Sequence, residues 1–254
     1  MWDWLSKLAE LRDFNTPCVL LTITACNGST PRGPGTKMIV CEDGKFFGTI
    51  GGGHLEELAI ADALKSLTSG ASQTIRYPLG AKTGQCCGGT VDILYEVQNH
   101  GPELYLFGAG HVGQAIARIL VGTPFRVHVI DDRPEWIESE NLPKLTTKHA
   151  CEWDEFVSDA RFDAAKTYVA IMTFRHDMDQ DILEKLLKLP TKYLGLIGSK
   201  SKWERFKQRL IAKGVLERDL ARVHCPIGIP TGKAPQEVAI SFAAELLQIH
   251  YKSI

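Results

Sequence analysis

The stretch E-L-Y-L-F-G-A-G-H-V-G-Q-A-I-A-R-I-L, Glu103 to Leu120, decides the fold of the larger part of this 254-residue chain. A short apolar run, Leu104 to Phe107, passes through Gly108-Ala109-Gly110-His111-Val112-Gly113 into a segment with helical spacing. A G-x-G-x-x-G between strand and helix opens a nucleotide-binding βαβ unit. Gly108 permits the tight turn, Gly110 lets a phosphate approach the backbone, and Gly113 lets helix and strand pack closely. The helix start then offers free N–H groups and a positive dipole end to an anion. His111, inside the turn, either donates to that phosphate or caps the helix. The next strand, in FRVHVIDD, ends at Asp131, where an acid hydrogen-bonds a ribose hydroxyl in dinucleotide-binding units. The alternative is a turn kept for packing, its ligand lost or changed.

Working outward toward the C-terminus, the runs TYVAIMT and KYLGLIG are each followed by a helical stretch. Such alternation predicts parallel strands with crossover helices. Ligands in open α/β sheets bind beyond the C-terminal ends of the strands, so two loops there are candidates. In TFRHDMDQDIL, Arg175 and His176 face an anion. Asp177, Asp179 and Asp181 fall in the first helical turns, where the dipole favours acids, and are not read as metal ligands. In GLIGSKSKWERF, Gly198 and Ser199 end a strand and open a helix, a second anion site; Lys200, Lys202 and Arg205 read as a solvated face. The final helix, APQEVAISFAAELLQIHY, carries Pro235 in its first turn.

Toward the N-terminus, the polar break VQNHGPEL separates this pattern from another. The expected organisation is an α/β chain: a small α+β domain over residues 1–98 and a Rossmann-like parallel-sheet domain over 103–254. The first domain shows short apolar or β-branched runs (CVLLTITAC, TKMIVC, KFFGTIGGG, QTIRYPL, TVDILYEV) interrupted by one helix, His54 to Leu67. An opening helix has Trp4, Leu5, Leu8 and Leu11 on one side. Three loops crowd this domain. NGSTPRGPGTKM brings Ser29 and Arg32 with rigid turns. GTIGGGHLEE brings Gly51, Gly52 and Gly53, suited to a nest of N–H donors, with His54 at the helix start. GQCCGG brings Gln85, Cys86 and Cys87 between glycines. None is a Walker A loop, and the H-x-E at His54 lacks the P-C-x-x-C of zinc deaminases. No catalytic residue is assigned.

A net charge of −1 gives no field for nucleic acid or an anionic membrane, and the apolar runs are too short to span a bilayer. The N-terminus has no basic region or cleavage site of a signal peptide. Seven cysteines without zinc spacing then read as reduced thiols of a cytoplasmic protein. Cys18, Cys26, Cys41, Cys151 and Cys225, single within or beside apolar runs, read mostly as core.

Seven motifs in order, GSTPRGPGTKM, GTIGGGHLE, GQCCGG, FGAGHVG, TFRHDMDQDIL, YLGLIGSKSKWERF and CPIGIPTGKAPQEVAISFAAELL, resemble the XdhC/CoxI family of xanthine dehydrogenase accessory proteins. Gly33 departs from the acidic residue common at its place in the family. The resemblance implies a maturation factor that binds molybdenum cofactor (molybdopterin), holds it while a cysteine desulfurase sulfurates it, and inserts it into the apo-enzyme of a molybdenum hydroxylase such as xanthine dehydrogenase. A carrier of this kind has no turnover of its own, and a homodimer is compatible with it. Molybdenum is thiophilic, so Cys86 or Cys87 would be its contact. The rival functions are an NAD(P)-dependent oxidoreductase and a nucleotide-binding sensor using the Rossmann turn.

Overall fold

The computed structural model describes residues 3–80 and 88–252. The chain divides into two compact units, Met1–His100 and Gly101–Ile254.

The first unit runs α1 (Asp3–Asp13), β1 (Cys18–Asn27), β2 (Lys37–Cys41), β3 (Phe46–Gly48), α2 (His54–Ser69), β4 (Gln73–Pro78) and β5 (Thr90–Gln98). Its strands form one antiparallel sheet in the order β3-β2-β1-β5-β4. The period of two sorts side chains to opposite faces. Val19, Leu21, Ile23, Met38 and Val40 pack against Leu55, Ala59 and Ala63 of α2, while Cys18, Leu20, Ile39 and Cys41 meet Leu11 of α1. The central strand is thus buried on both faces, which explains a nearly continuous apolar run. Trp4 and Leu8 join Leu11 on that face as expected, but Leu5 does not: it is exposed. Positions 4, 8 and 11 make one stripe, and 5 falls beside it.

The second unit runs β6 (Glu103–Phe107), α3 (His111–Ile119), β7 (Arg126–Ile130), α4 (Pro134–Ile137), β8 (Thr147–His149), α5 (Trp153–Asp159), β9 (Thr167–Ile171), α6 (His176–Leu186), β10 (Tyr193–Leu196), α7 (Lys200–Ala212), α8 (Glu217–Leu220), β11 (Val223–His224) and α9 (Pro235–Tyr251). Its six strands are parallel, in the order β11-β10-β9-β6-β7-β8. This is the Rossmann order, with the chain reversing direction across the sheet between β6 and β9. Leu104 and Leu106 of β6 point into a core with Ile116 of α3 and Phe242 of α9. Tyr105 and Phe107 point into the opposite core, with Phe156 of α5, Leu183 of α6 and Phe206 of α7. Helices therefore cover both faces. Among the described residues, no helix is long and apolar enough to cross a membrane.

Candidate functional site

In the first unit the glycine loops converge. A Cβ on Gly89 would meet the carbonyl oxygens of Asn27 and Ser29 at 2.5 Å, and one on Gly51 would meet Pro31 Cγ at 2.5 Å. The loop bearing Ser29 and Arg32 therefore lies against both the Gly51–Gly53 run and the end of the third motif. Ser29 and Arg32 are exposed, and the Arg32 guanidinium has no hydrogen-bond partner among the described residues. Gln85, Cys86 and Cys87 lie outside the described residues.

The Gly51–Gly53 nest is already filled. Glu56 Oε1 accepts the N–H groups of Ile50 (3.0 Å) and Gly52 (2.9 Å) and the hydroxyl of Thr49. Burial pushes this carboxyl up, but those donors more than offset it and hold the group below its ordinary value. Gly51, Gly52 and Gly53 all have positive φ, at 133°, 81° and 63°, so glycine is required there by the turn that wraps the carboxylate. The nest expected to be open is closed, because Glu56 sits in the first turn of α2 and reaches back over the glycines that precede the helix. His54, at the start of that helix, is exposed and contacts Glu57 Oε2 through Nδ1 at 2.9 Å.

The Rossmann turn behaves differently. Gly108 has φ 119°, and a Cβ there would meet Met172 O at 2.4 Å; a Cβ on Gly113 would meet Gly108 O at 2.1 Å. Packing dictates both glycines. Gly110 has φ −64° and nothing within 4 Å of an added Cβ, so no contact among the described residues demands glycine there. The space beside it suits the close approach of a ligand. His111 opens α3 on the surface and meets Trp136 edge to face at 5.1 Å.

Asp131 follows β7 in the ribose position but is internally satisfied. Its carboxylate accepts Ala109 N–H at 2.7 Å and a bidentate pair from Arg133, Nε at 2.8 Å and a terminal nitrogen at 2.7 Å. Burial raises this carboxyl, and the Arg133 and Ala109 donors bring it net below the usual range. Arg133 lies against Phe174 (4.1 Å to the ring centroid) and Trp136 (5.3 Å), which hold it in place. The neighbouring hollow, bordered by Gly108, Asp131 and Phe174, measures only about 20 Å³.

On the other side of the switch point, a cleft of about 430 Å³ opens beyond β9 and β10. His176, Gly198 and Ser199 line it, as do Lys202, Arg205 and Arg209. Arg175 does not: it pairs with Asp177, whose carboxyl it draws down to about 2. The floor is an ion pair, Lys202 Nζ to Asp179 Oδ2 at 2.6 Å, with the two side chains 10% and 1% exposed. Lys202 also donates to Ile197 O at 3.0 Å, and Asp179 Oδ1 accepts the N–H and hydroxyl of Thr173 at 2.9 and 2.7 Å. Ser199 caps α7 by accepting Lys202 N–H at 3.1 Å. Lys202 is therefore no part of a solvated face, and Asp179 is no ordinary dipole acid. Both were recognisable from register: Lys202 falls in line with Phe206 and Leu210, and Asp179 with Ile182, Leu183 and Leu186, on the buried faces of their helices.

Cys225 feels this pair, but burial dominates and lifts its thiol to about 11; Cys18 is lifted to about 12 for the same first reason. Neither is a thiolate at neutral pH. Among the described residues no group of three His, Cys, Asp or Glu could hold a metal ion.

With this geometry in view, two family models match the chain. Residues 104–246 match the XdhC Rossmann domain, and residues 11–78 match the XdhC and CoxI family. The chain belongs to the XdhC and CoxI family. Over 96% of its length it is 34% identical to a protein of Escherichia coli K12 called uncharacterized protein YqeB, covering 46% of that protein. Over 58% of its length it is 31% identical to a probable xanthine dehydrogenase subunit of Bacillus subtilis 168, covering 42% of it. This XdhC-family chain thus spans less than half the length of those two relatives. A third, the molybdenum cofactor insertion chaperone PaoD of Escherichia coli K12, is 24% identical, with 91% of this chain and 83% of PaoD aligned. A crystal structure of a xanthine dehydrogenase from Bacillus halodurans superposes with a TM-score of 0.53 at 21% identity, over 98% of this chain and 96% of that one, and shares the fold.

Proposed function

We propose that this chain is a molybdenum-cofactor carrier that inserts the cofactor into a molybdenum hydroxylase of the xanthine dehydrogenase type. The alignment with PaoD over most of both chains carries the reading. The residues present suit a phosphorylated cofactor: Gly110 leaves room for a phosphate beside the start of α3. When bound, the cofactor brings the molybdenum centre on which the client's hydroxylation depends. The chain's own part is to bind and orient it. Gly110 and His111 would take the phosphate. Cys86 or Cys87 would contact the metal, a role argued from the sequence. Sulfuration with a cysteine desulfurase, a cytoplasmic setting and a homodimer belong to the same proposal.

The NAD(P)-dependent oxidoreductase reading gains no support from the ribose position, since Asp131 is committed to Arg133 and Ala109. The deciding experiment is anaerobic purification from a host that makes the cofactor, followed by assay of bound molybdenum and pterin. We expect both, in equal amounts. Absence of both, together with a rise in melting temperature on adding NADH, would overturn the carrier reading.

A further inference from the structure

The cleft beyond β9 and β10 has a cationic lining that the groups assigned to the carrier reading do not use. Asp179 is the only acid lining it among the described residues, and Lys202 neutralises that charge. Arg205 and Arg209 are left uncompensated. Arg205 Nε reaches only Ser201 O and Arg209 only Gln180 Oε1, each at 3.3 Å, and neither has a carboxylate partner among the described residues. They stand one helical turn apart on α7, on the same side of the helix. The α7 terminus bordering the cleft adds the N–H groups of its first turn and the positive end of its dipole.

Size and wall composition narrow the ligand. A volume of about 430 Å³ falls within the range of roughly 300–1,000 Å³ for small-molecule sites and far exceeds one inorganic ion. Ile197 and Phe206 supply apolar wall for an organic body. Two guanidinium forks suit a doubly charged phosphoryl group, which they bind bidentately. The buried Lys202–Asp179 pair fixes the floor, because each charge is held by further hydrogen bonds and neither can leave without stranding the other.

We propose that this cleft is a binding site for a phosphomonoester carried on a ring-sized organic body, with Arg205 and Arg209 as its anion-binding groups. The site stands whether or not the chain carries molybdenum cofactor. Its phosphoryl group could come from a nucleotide or from a flavin-like ring, and the test separates these.

The test is titration of the full chain, by calorimetry, with AMP, GMP and flavin mononucleotide, each beside its dephosphorylated partner (adenosine, guanosine, riboflavin), and with inorganic phosphate. At least one monophosphate should bind at least tenfold more tightly than its dephosphorylated partner and than inorganic phosphate. Both arginines are exposed, so R205E/R209E should keep the parent melting temperature while weakening that binding at least tenfold. R205Q and R209Q provide milder variants, each expected to weaken it severalfold. The proposal is overturned if no monophosphate binds at millimolar concentration, if the dephosphorylated partner or inorganic phosphate binds equally well, or if the charge-reversed protein binds unchanged.

Discussion

The Gly51–Gly53 run and the Gly108–Gly113 turn look alike as sequence: each is glycine-rich, follows a strand and opens a helix. The first directs its N–H donors to the chain's own Glu56, and its glycines are there to let the backbone wrap a carboxylate. The second has two glycines dictated by packing and a third, Gly110, with empty space beside it. What separates the two turns is therefore where the N–H donors go: those of Ile50 and Gly52 are taken by Glu56, and no side chain among the described residues reaches back over Gly110 in the same way.

Substitutions at three positions test that contrast. The largest effect belongs to Gly113→Ala, whose methyl would lie 2.1 Å from Gly108 O, a backbone atom with nowhere to go. A loss of about 3 kcal/mol or more is expected, read as a fall of roughly 6–12 °C in the melting temperature of the second unit. A variant that melts like the parent would break the packing half of the argument.

Next comes Glu56→Ala, which strips the acceptor from the Ile50 and Gly52 N–H groups and should cost about 1–3 kcal/mol by urea denaturation. Because the folded value of Glu56 is lowered, its stabilisation is fully present above the ordinary glutamate value near 4.5 and is lost as pH falls through the lower folded value. Stability measured from pH 7 down to pH 3 should show that loss in the parent and lack this component in Glu56→Gln. Identical acid profiles for the two would mean the nest does not depend on charge.

The smallest change in stability is expected from Gly110→Ala, below about 0.5 kcal/mol, since its φ is ordinary and its surroundings are empty. Cofactor retained after anaerobic purification should nevertheless fall at least fivefold. If Gly110→Ala destabilises as Gly113→Ala does, the turn is a packing device alone.

Much of the fold was legible because it is written locally. The strand–turn–helix at Leu104–Leu120, the five runs of the first sheet and the proline-started last helix all carry their own periodicity. The edge strands Thr147–His149 and Val223–His224 do not: two or three residues have no period, and their extended form is imposed by the neighbouring strands β7 and β10. The site was legible as a set of loops and less so as a set of partners. Gly110 and Ser199 stand at the N-caps of α3 and α7, and His176 opens α6. That Arg133 would claim Asp131, Glu56 the glycine nest and Lys202 the carboxylate of Asp179 depends on pairings between residues up to 23 positions apart. A charge on a buried helical stripe was the available warning, and Lys202 and Asp179 both gave it.

Helix α7 divides its work between separate faces: Lys202, Phe206 and Leu210 are buried, whereas Arg205 and Arg209 look out from the rim of the cleft. What the helix recognises can therefore be rewritten without disturbing what holds it down. A selection library confined to positions 205 and 209 would sample new ligand preferences at nearly constant stability, while the same effort at 202 would mostly return unfolded chains. For anyone re-targeting this protein, positions 205 and 209 can change while Phe206 and Leu210 keep α7 anchored.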